Sequence, residues 1–343
     1  MADCANCPKA QTEAGRRWVA PARSVPLSGF VNVDKPAGMT SHDVVDALRR
    51  LAGQRKVGHA GTLDPMATGV LLICLGAATR VAEYLMAGSK RYRATIVLGA
   101  TTDTYDAEGE ILTDGGRTDF SRGEIEAALA CFVGHIEQVP PMYSAIKHNG
   151  QPLYRRARRG EMVERQPRDV HISELVLLDW NSPSLIVEIA CSPGTYVRSL
   201  AHDLGQRLGS GAHLAALARL SSGRFTLEEA VSLDRLEEAF QHGREMQYVL
   251  PVDEALLDCP TLILGADDVR RIVQGQEVDS PPPENYEDHS SVYRAYSMDG
   301  EFLAVMSYHA ATGRWRPMKV FAQGAMNVGR VETLLYNNFG PMV

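Results

Sequence analysis

The feature that most constrains how this chain can fold is the irregular mixing of two hydrophobic periods. Residues 91–98 alternate, so that Tyr92, Ala94, Ile96 and Leu98 share one face of a strand. Val44, Val45, Leu48 and Leu51 instead follow helical spacing behind Ser41, the expected cap. The spacing also predicts strands at 29–33, 70–75, 170–178 and 185–191, and helices at 78–86, 121–131 and 195–208. A strict strand–helix–strand rhythm would indicate a doubly wound parallel sheet. Its absence points to an α+β fold with a central mixed sheet and flanking helices.

The 343 residues suffice for two domains. A composition shift near Pro251 opens a second unit, with a short helix at 267–274, a loop rich in proline and acids at 280–290, and strands at 292–296, 302–307 and 316–321. Residues 1–28 lack periodicity and are expected to be a disordered extension. No apolar run nears the roughly 20 residues of a membrane helix, and the first 25 residues hold no apolar signal core, so a cytoplasmic location is expected.

A formal net charge of −7 argues at first against a nucleic-acid partner. The distribution argues otherwise: residues 1–100 carry 13 Lys and Arg against 7 Asp and Glu, whereas residues 251–343 carry 7 against 13. Residues 147–171 hold seven basic side chains and three acidic ones, with Arg155, Arg156, Arg158 and Arg159 almost contiguous. Such a run serves either to bind phosphates or simply as a solvated helix face. Cys4 and Cys7 form one CxxC with no second ligand pair, and neither a phosphate-cradling GxxxxGK[ST] nor an HExxH occurs. No metal and no cofactor is expected.

A loop of small residues, Gly58-His59-Ala60-Gly61-Thr62-Leu63-Asp64-Pro65-Met66-Ala67-Thr68-Gly69, leads into the apolar strand at 70–75. One acid and one histidine on a glycine-rich loop held by rigid elements suit an active site. Taken singly, the residues leave alternatives open. Asp64 before Pro65 could cap a turn, His59 could be structural, Tyr92 a core aromatic and Arg198 a surface residue.

Taken together, these segments resemble the TruB-type tRNA pseudouridine synthases, standalone bacterial type. Residues 29–41 (GFVNVDKPAGMTS) resemble the family's opening, and Val57-Gly58-His59-Ala60-Gly61-Thr62-Leu63-Asp64-Pro65 resembles its catalytic loop. Lys90-Arg91-Tyr92, Gly194-Thr195-Tyr196-Val197-Arg198, and Gly211-Ala212-His213-Leu214 with Leu217 and Arg219 follow in the family's order. Ile272-Val273-Gln274-Gly275-Gln276 and Pro317-Met318-Lys319-Val320-Phe321 resemble its small PUA-like RNA-binding domain, a weaker match.

The resemblance implies a pseudouridine-synthase catalytic domain over 29–250, with an RNA-binding insertion at about 143–170, a PUA-like domain over 251–322 and a tail at 323–343. It implies isomerisation of uridine 55 in the tRNA T-loop by base flipping, with Asp64 as nucleophile, Arg198 pairing with it, and Tyr92 stacking on the uracil. His59 would help hold the RNA loop open, while Tyr196 and Leu217 would line the pocket. Arg198 should keep Asp64 ionised. The expected partner is the T-arm and T-loop of tRNA. A monomer needing no guide RNA and no obligatory protein partner is expected, because the basic insertion is a mark of the standalone type. Two other readings stand beside this one: a tRNA-folding protein for which modification is secondary, and a guide-RNA-dependent synthase subunit.

Overall fold

The computed structural model describes residues 26–143, 147–148, 151–152, 156, 159, 161, 163–281 and 292–321. Of the extension expected over 1–28, residues 1–25 lie outside the described residues, as do the tail over 323–343, Arg155, Arg158 and most of the 280–290 loop, while residues 26–28 are described and Leu27 is buried, its N donating to Gln54 Oε1 at 2.8 Å.

Ten strands form the main sheet: β1 Gly29–Lys35, β2 Val57–Ala60, β3 Thr68–Leu75, β4 Lys90–Leu98, β5 Gly134–Gln138, β6 Arg168–Asn181, β7 Ser184–Cys191, β8 Ala212–Ser222, β9 Phe225–Thr226 and β10 Val231–Ser232. Their order is β10-β1-β3-β8-β4-β7-β6-β5, with β2 paired to β3 and β9 to β8. The pairs β10/β1 and β3/β8 are parallel and the other neighbours antiparallel, so the sheet is mixed, as the irregular periodicity predicts.

The continuous apolar run of β3 has a simple cause: the strand is buried on both faces. Leu71, Ile73 and Leu75 enter a core shared with the helices α1 Ser41–Ala52, α3 Arg122–Ala130, α4 Val197–Leu208 and α5 Leu233–Gln241. Val70, Leu72 and Cys74 point the other way, into a second core. That core takes Leu85 from α2 Ala82–Ala87 and Tyr296, Phe302, Val305 and Phe321 from the C-terminal unit.

The C-terminal unit is a four-stranded sheet in the order β11 Thr261–Leu264, β12 Val292–Ser297, β13 Phe302–His309 and β14 Arg314–Val320, flanked by α6 Ala266–Val273. Its own core gathers Leu262, Leu264, Ile272, Met306 and a fully buried Trp315. Among the described residues no helix is long and apolar enough to cross a membrane.

Several local expectations need correction. Thr40, not Ser41, caps α1: its hydroxyl accepts from Asp43 N while Asp43 accepts from Thr40 N, a reciprocal capping box. Ser41 is buried, and its Oγ donates to Leu63 O at 3.0 Å and accepts from Leu63 N at 2.8 Å. The helix expected at 78–86 splits into a 3₁₀ turn, Gly76–Arg80, and α2, because Val81 at φ −106° and ψ 5° leaves helical geometry. The glycine loop begins as β2, since pairing with β3 satisfies its backbone. Periodicity does not predict strands β5 and β8 or helix α5: β5 alternates only weakly, and β8 reads as an alanine-rich stretch that a helix could equally own.

Candidate active site

The glycine loop, the start of α4, β4 and β8 converge on Asp64. Arg198 sits in the first turn of α4 with only 5% of its surface exposed. Its Nη2 donates to Asp64 Oδ1 at 2.9 Å and to Tyr143 O at 2.8 Å. Its Nη1 donates to Thr104 O at 3.3 Å and lies 3.3 Å from Asp106 Oδ2. The arginine is thus neither a surface residue nor a simple partner of one acid. It bridges two carboxylates and two carbonyls.

Asp64 keeps about a third of its side chain accessible (32%), while Arg198 and Asp106 are buried. Asp64 does make a turn, with Ala67 N donating to its carbonyl, but the carboxylate is engaged by Arg198 and not by that turn. Burial pushes its carboxyl above the ordinary range, Arg198 pulls it back, and the like charge of Asp106 pushes it up again. Arg198 thus favours the ionised carboxylate, but desolvation is the larger effect and the net displacement is upward.

Two buried cations hold the loop that carries Asp64. Lys35, at the end of β1, donates to Pro36 O at 2.8 Å, Pro65 O at 3.1 Å and Ala67 O at 2.6 Å. Burial lowers its ammonium to about 8, although Asp64 acts to raise it. Arg219, on β8, donates from Nε to Val70 O at 2.6 Å and from Nη2 to Gly61 O at 3.2 Å. With their donors turned onto carbonyls, both side chains act as fasteners of the loop.

Tyr92 lies directly opposite Arg219 in the β4/β8 register and is buried, 8% exposed, in the core with Leu63, Ala67 and Leu217. Burial pushes its phenol up and Arg219 pulls it back. It is a core aromatic that also borders the Asp64 loop. His59 on β2 is half-buried, its Nδ1 without a hydrogen-bond partner among the described residues, and burial pushes its imidazole down.

Tyr196 caps α4. Its N donates to Gln138 Oε1 at 2.9 Å and its O accepts from Gln138 Nε2 at 3.2 Å. In the insertion, Arg156 pairs with Glu161 and Arg159 donates to Gln151. Among the described residues no group of three or more metal-ligating side chains occurs.

The structure therefore brings Asp64, Arg198, Tyr92 and Leu217 to one place, while the contacts of Arg156 and Arg159 named above are to Glu161 and Gln151. Sequence reasoning misses Asp106, Lys35 and the carbonyls of Thr104 and Tyr143. Carbonyls carry no side-chain signal, and Asp106 lies in a polar loop with nothing to set it apart from Asp103 or Glu108. Lys35 at a strand end before Pro36 reads as an ordinary turn residue. Arg219 stands within a family-like motif, but the motif alone gives it no role.

Asp64 thus sits on the loop between β2 and β3 of a mixed sheet flanked by helices, held there by a buried arginine. The TruB family pseudouridylate synthase N-terminal domain matches residues 49–197, and the tRNA pseudouridylate synthase B C-terminal domain matches residues 198–257. A Syntrophotalea carbinolica protein named tRNA pseudouridine synthase B is 47% identical over 73% of this chain and 81% of its own length. The Dehalococcoides mccartyi (strain BAV1) protein of that name is 42% identical over 86% of this chain and 97% of its own. Among solved structures, a chain of a Cbf5–Nop10–Gar1 complex superimposes with a TM-score of 0.64 at 26% identity, covering 82% of this chain and 78% of that one. A chain of an H/ACA ribonucleoprotein bound to substrate RNA gives 0.65 at 23% identity, covering 85% and 84%, which shows the shared fold. The chain belongs to the TruB family of pseudouridylate synthases.

Proposed function

We propose that this protein converts a uridine of tRNA to pseudouridine, that the target is uridine 55 in the T-loop, and that Asp64 is the nucleophile. The observation that carries the reading is the Asp64–Arg198 contact: a partly accessible carboxylate oriented by a buried guanidinium. Family membership, with relatives named tRNA pseudouridine synthase B at 42–47% identity, supports tRNA as the substrate. The same relatives support action without a guide RNA, since the neighbours drawn from an H/ACA ribonucleoprotein and a Cbf5–Nop10–Gar1 complex are more distant at 23–26% identity.

The chemistry breaks the bond between ribose and the uracil nitrogen, turns the base, and rejoins it through carbon. A carboxylate suits this as a covalent catalyst. The target must first leave its stack, at a cost of a few kcal/mol that is smaller in a loop than in a duplex. Aromatic stacking returns about 1–3 kcal/mol per base, and Tyr92 is an aromatic that borders the Asp64 loop. Tyr92 is nearly buried, so a base would meet only its small exposed part. Leu217 would add an apolar wall, and His59 on β2 would hold the RNA open. Arg198 orients Asp64 through its planar fork, a geometry lysine cannot copy. Phosphate contacts from Arg155, Arg156, Arg158 and Arg159 would supply affinity. Catalytic and PUA-like domains over 29–250 and 251–322 are the division we adopt, with residues 29–41 opening the first.

Release of tritium from uracil-labelled tRNA under single turnover tests the reading. Asp64→Asn should abolish release while leaving tRNA binding within about threefold, because the change is nearly isosteric. Release near the wild-type rate would remove Asp64 from the mechanism. Chemical mapping that finds pseudouridine outside the T-loop would move the target.

A further inference from the structure

Helix α4 places Arg198 and His202 one turn apart, on the same face. One short loop meets both. Thr104 O and the Asp106 carboxylate engage Arg198 Nη1. Between them, Tyr105 lays its ring on His202, with centroids 3.9 Å apart and planes 12° from parallel. Three successive residues of the loop thus hold two side chains of the helix.

The loop adopts a strained form to do so. Tyr105 is the one non-glycine residue among those described with a left-handed backbone, φ 65°. Such a residue turns the chain back on itself, which lets the carbonyl before it and the carboxylate after it reach the same nitrogen. On the far side the loop backbone is tied to β8: Leu214 N donates to Tyr105 O at 3.0 Å, and Ala107 N to Leu214 O at 2.9 Å. The ring stack is the matching tie to α4. His202 Nδ1 is buried and has no hydrogen-bond partner among the described residues, so the imidazole is held by its face.

We propose that Tyr105 and His202 form a stacked clasp that positions Arg198 against Asp64, and that they serve the isomerisation through the arginine without touching the substrate. The proposal rests on the reading of Asp64 as nucleophile. It explains why a strained tyrosine is kept beside the site: its side chain supplies the contact that stabilises the turn.

The test uses the full chain and three readouts: single-turnover tritium release, tRNA affinity, and the Asp64 carboxyl titration followed by ¹³C NMR without RNA. Tyr105→Leu and His202→Ala should each slow release by about tenfold or more while affinity stays within about threefold, as expected for a small misplacement of a catalytic group. The double variant should be no slower than the slower single one, because the two rings act as a unit. Tyr105→Phe keeps the stack and should retain activity within about twofold.

Asp64 is faced by Arg198 from α4, Asp106 from the loop, Lys35 from β1 and Tyr92 from β4. A displaced guanidinium pulls less on the carboxylate, so the titration midpoint should rise in Tyr105→Leu and His202→Ala and stay fixed in Tyr105→Phe. An unmoved midpoint in both disruptive variants would overturn the clasp, as would equal losses in Tyr105→Phe and Tyr105→Leu. Should wild-type protein release no tritium from tRNA, the functional reading fails, while the titration still decides the clasp.

Discussion

At the scale of single residues, the ionisation of Asp64, the proposed nucleophile, sets desolvation and one like charge against two cations. The carboxyl must be ionised to act as a nucleophile, yet burial and Asp106 raise it above its ordinary value while Arg198 and Lys35 lower it. Activity should therefore fall as pH drops through that raised value, on a limb lying at higher pH than a free aspartate would give. Asp106→Asn removes the like charge and should move the limb toward lower pH in single-turnover rates measured across the acidic range. A limb that moves upward would mean that Asp106 matters chiefly by orienting Arg198. Arg198→Lys keeps the charge but loses the fork, so turnover should drop much more than tRNA binding does. Equal losses in both would make Arg198 a binding residue.

At the scale of elements, the site depends on how closely β3 and β8 approach. They are parallel neighbours, with Arg219 opposite Gly69. Gly69 has φ 94°, and a Cβ there would lie 2.3 Å from Arg219 O. Gly69→Ala should cost at least about 2 kcal/mol, combining left-handed strain with a backbone clash, read as a fall in the urea midpoint. Gly38, at φ 81° with nothing within 4 Å of its would-be Cβ, isolates the strain and should lose only about 1 kcal/mol on the same change.

Periodicity makes legible the elements that bury one clean face or two. β4 buries Tyr92, Ala94, Ile96 and Leu98 as predicted, and the unbroken run of β3 is buried on both sides. β8 escapes because Ala212, Ala215, Ala216 and Ala218 fit either period, and only its pairing with β4 settles the matter. In the site, the motifs point to Asp64 and Arg198 through family resemblance. The Asp106 partner and the Tyr105–His202 stack form across more than 90 residues of chain, a separation at which local pattern carries no information.

At the scale of the whole molecule, the C-terminal sheet is built into the rear of the main one. Phe302 is 1% exposed and stands in the core that also buries Phe30, Val70 and Leu72, while Lys319 reaches Glu83 and Arg80 O, and Arg80 lies over the Phe321 ring. Phe302→Ala should cost about 3–5 kcal/mol and reduce hydrogen-exchange protection in β3 as well as in β13. Trp315→Ala empties only the unit's own core and should leave β3 protected.

The acidic C-terminal part contrasts with a basic first hundred residues and with the basic run at 147–171. Affinity for an anionic partner should therefore respond strongly to the insertion. Changing Arg155, Arg156, Arg158 and Arg159 together to glutamine should weaken tRNA binding and flatten its dependence on salt, by about 0.7–0.9 in log–log slope for each phosphate no longer neutralised. Because Glu161 already engages Arg156 and lies near Arg159, part of the insertion's charge is spent internally. Glu161→Gln should accordingly steepen the slope. A filter-binding series in which neither change alters affinity or slope would leave the basic run as a solvated surface and move RNA recognition elsewhere on the protein.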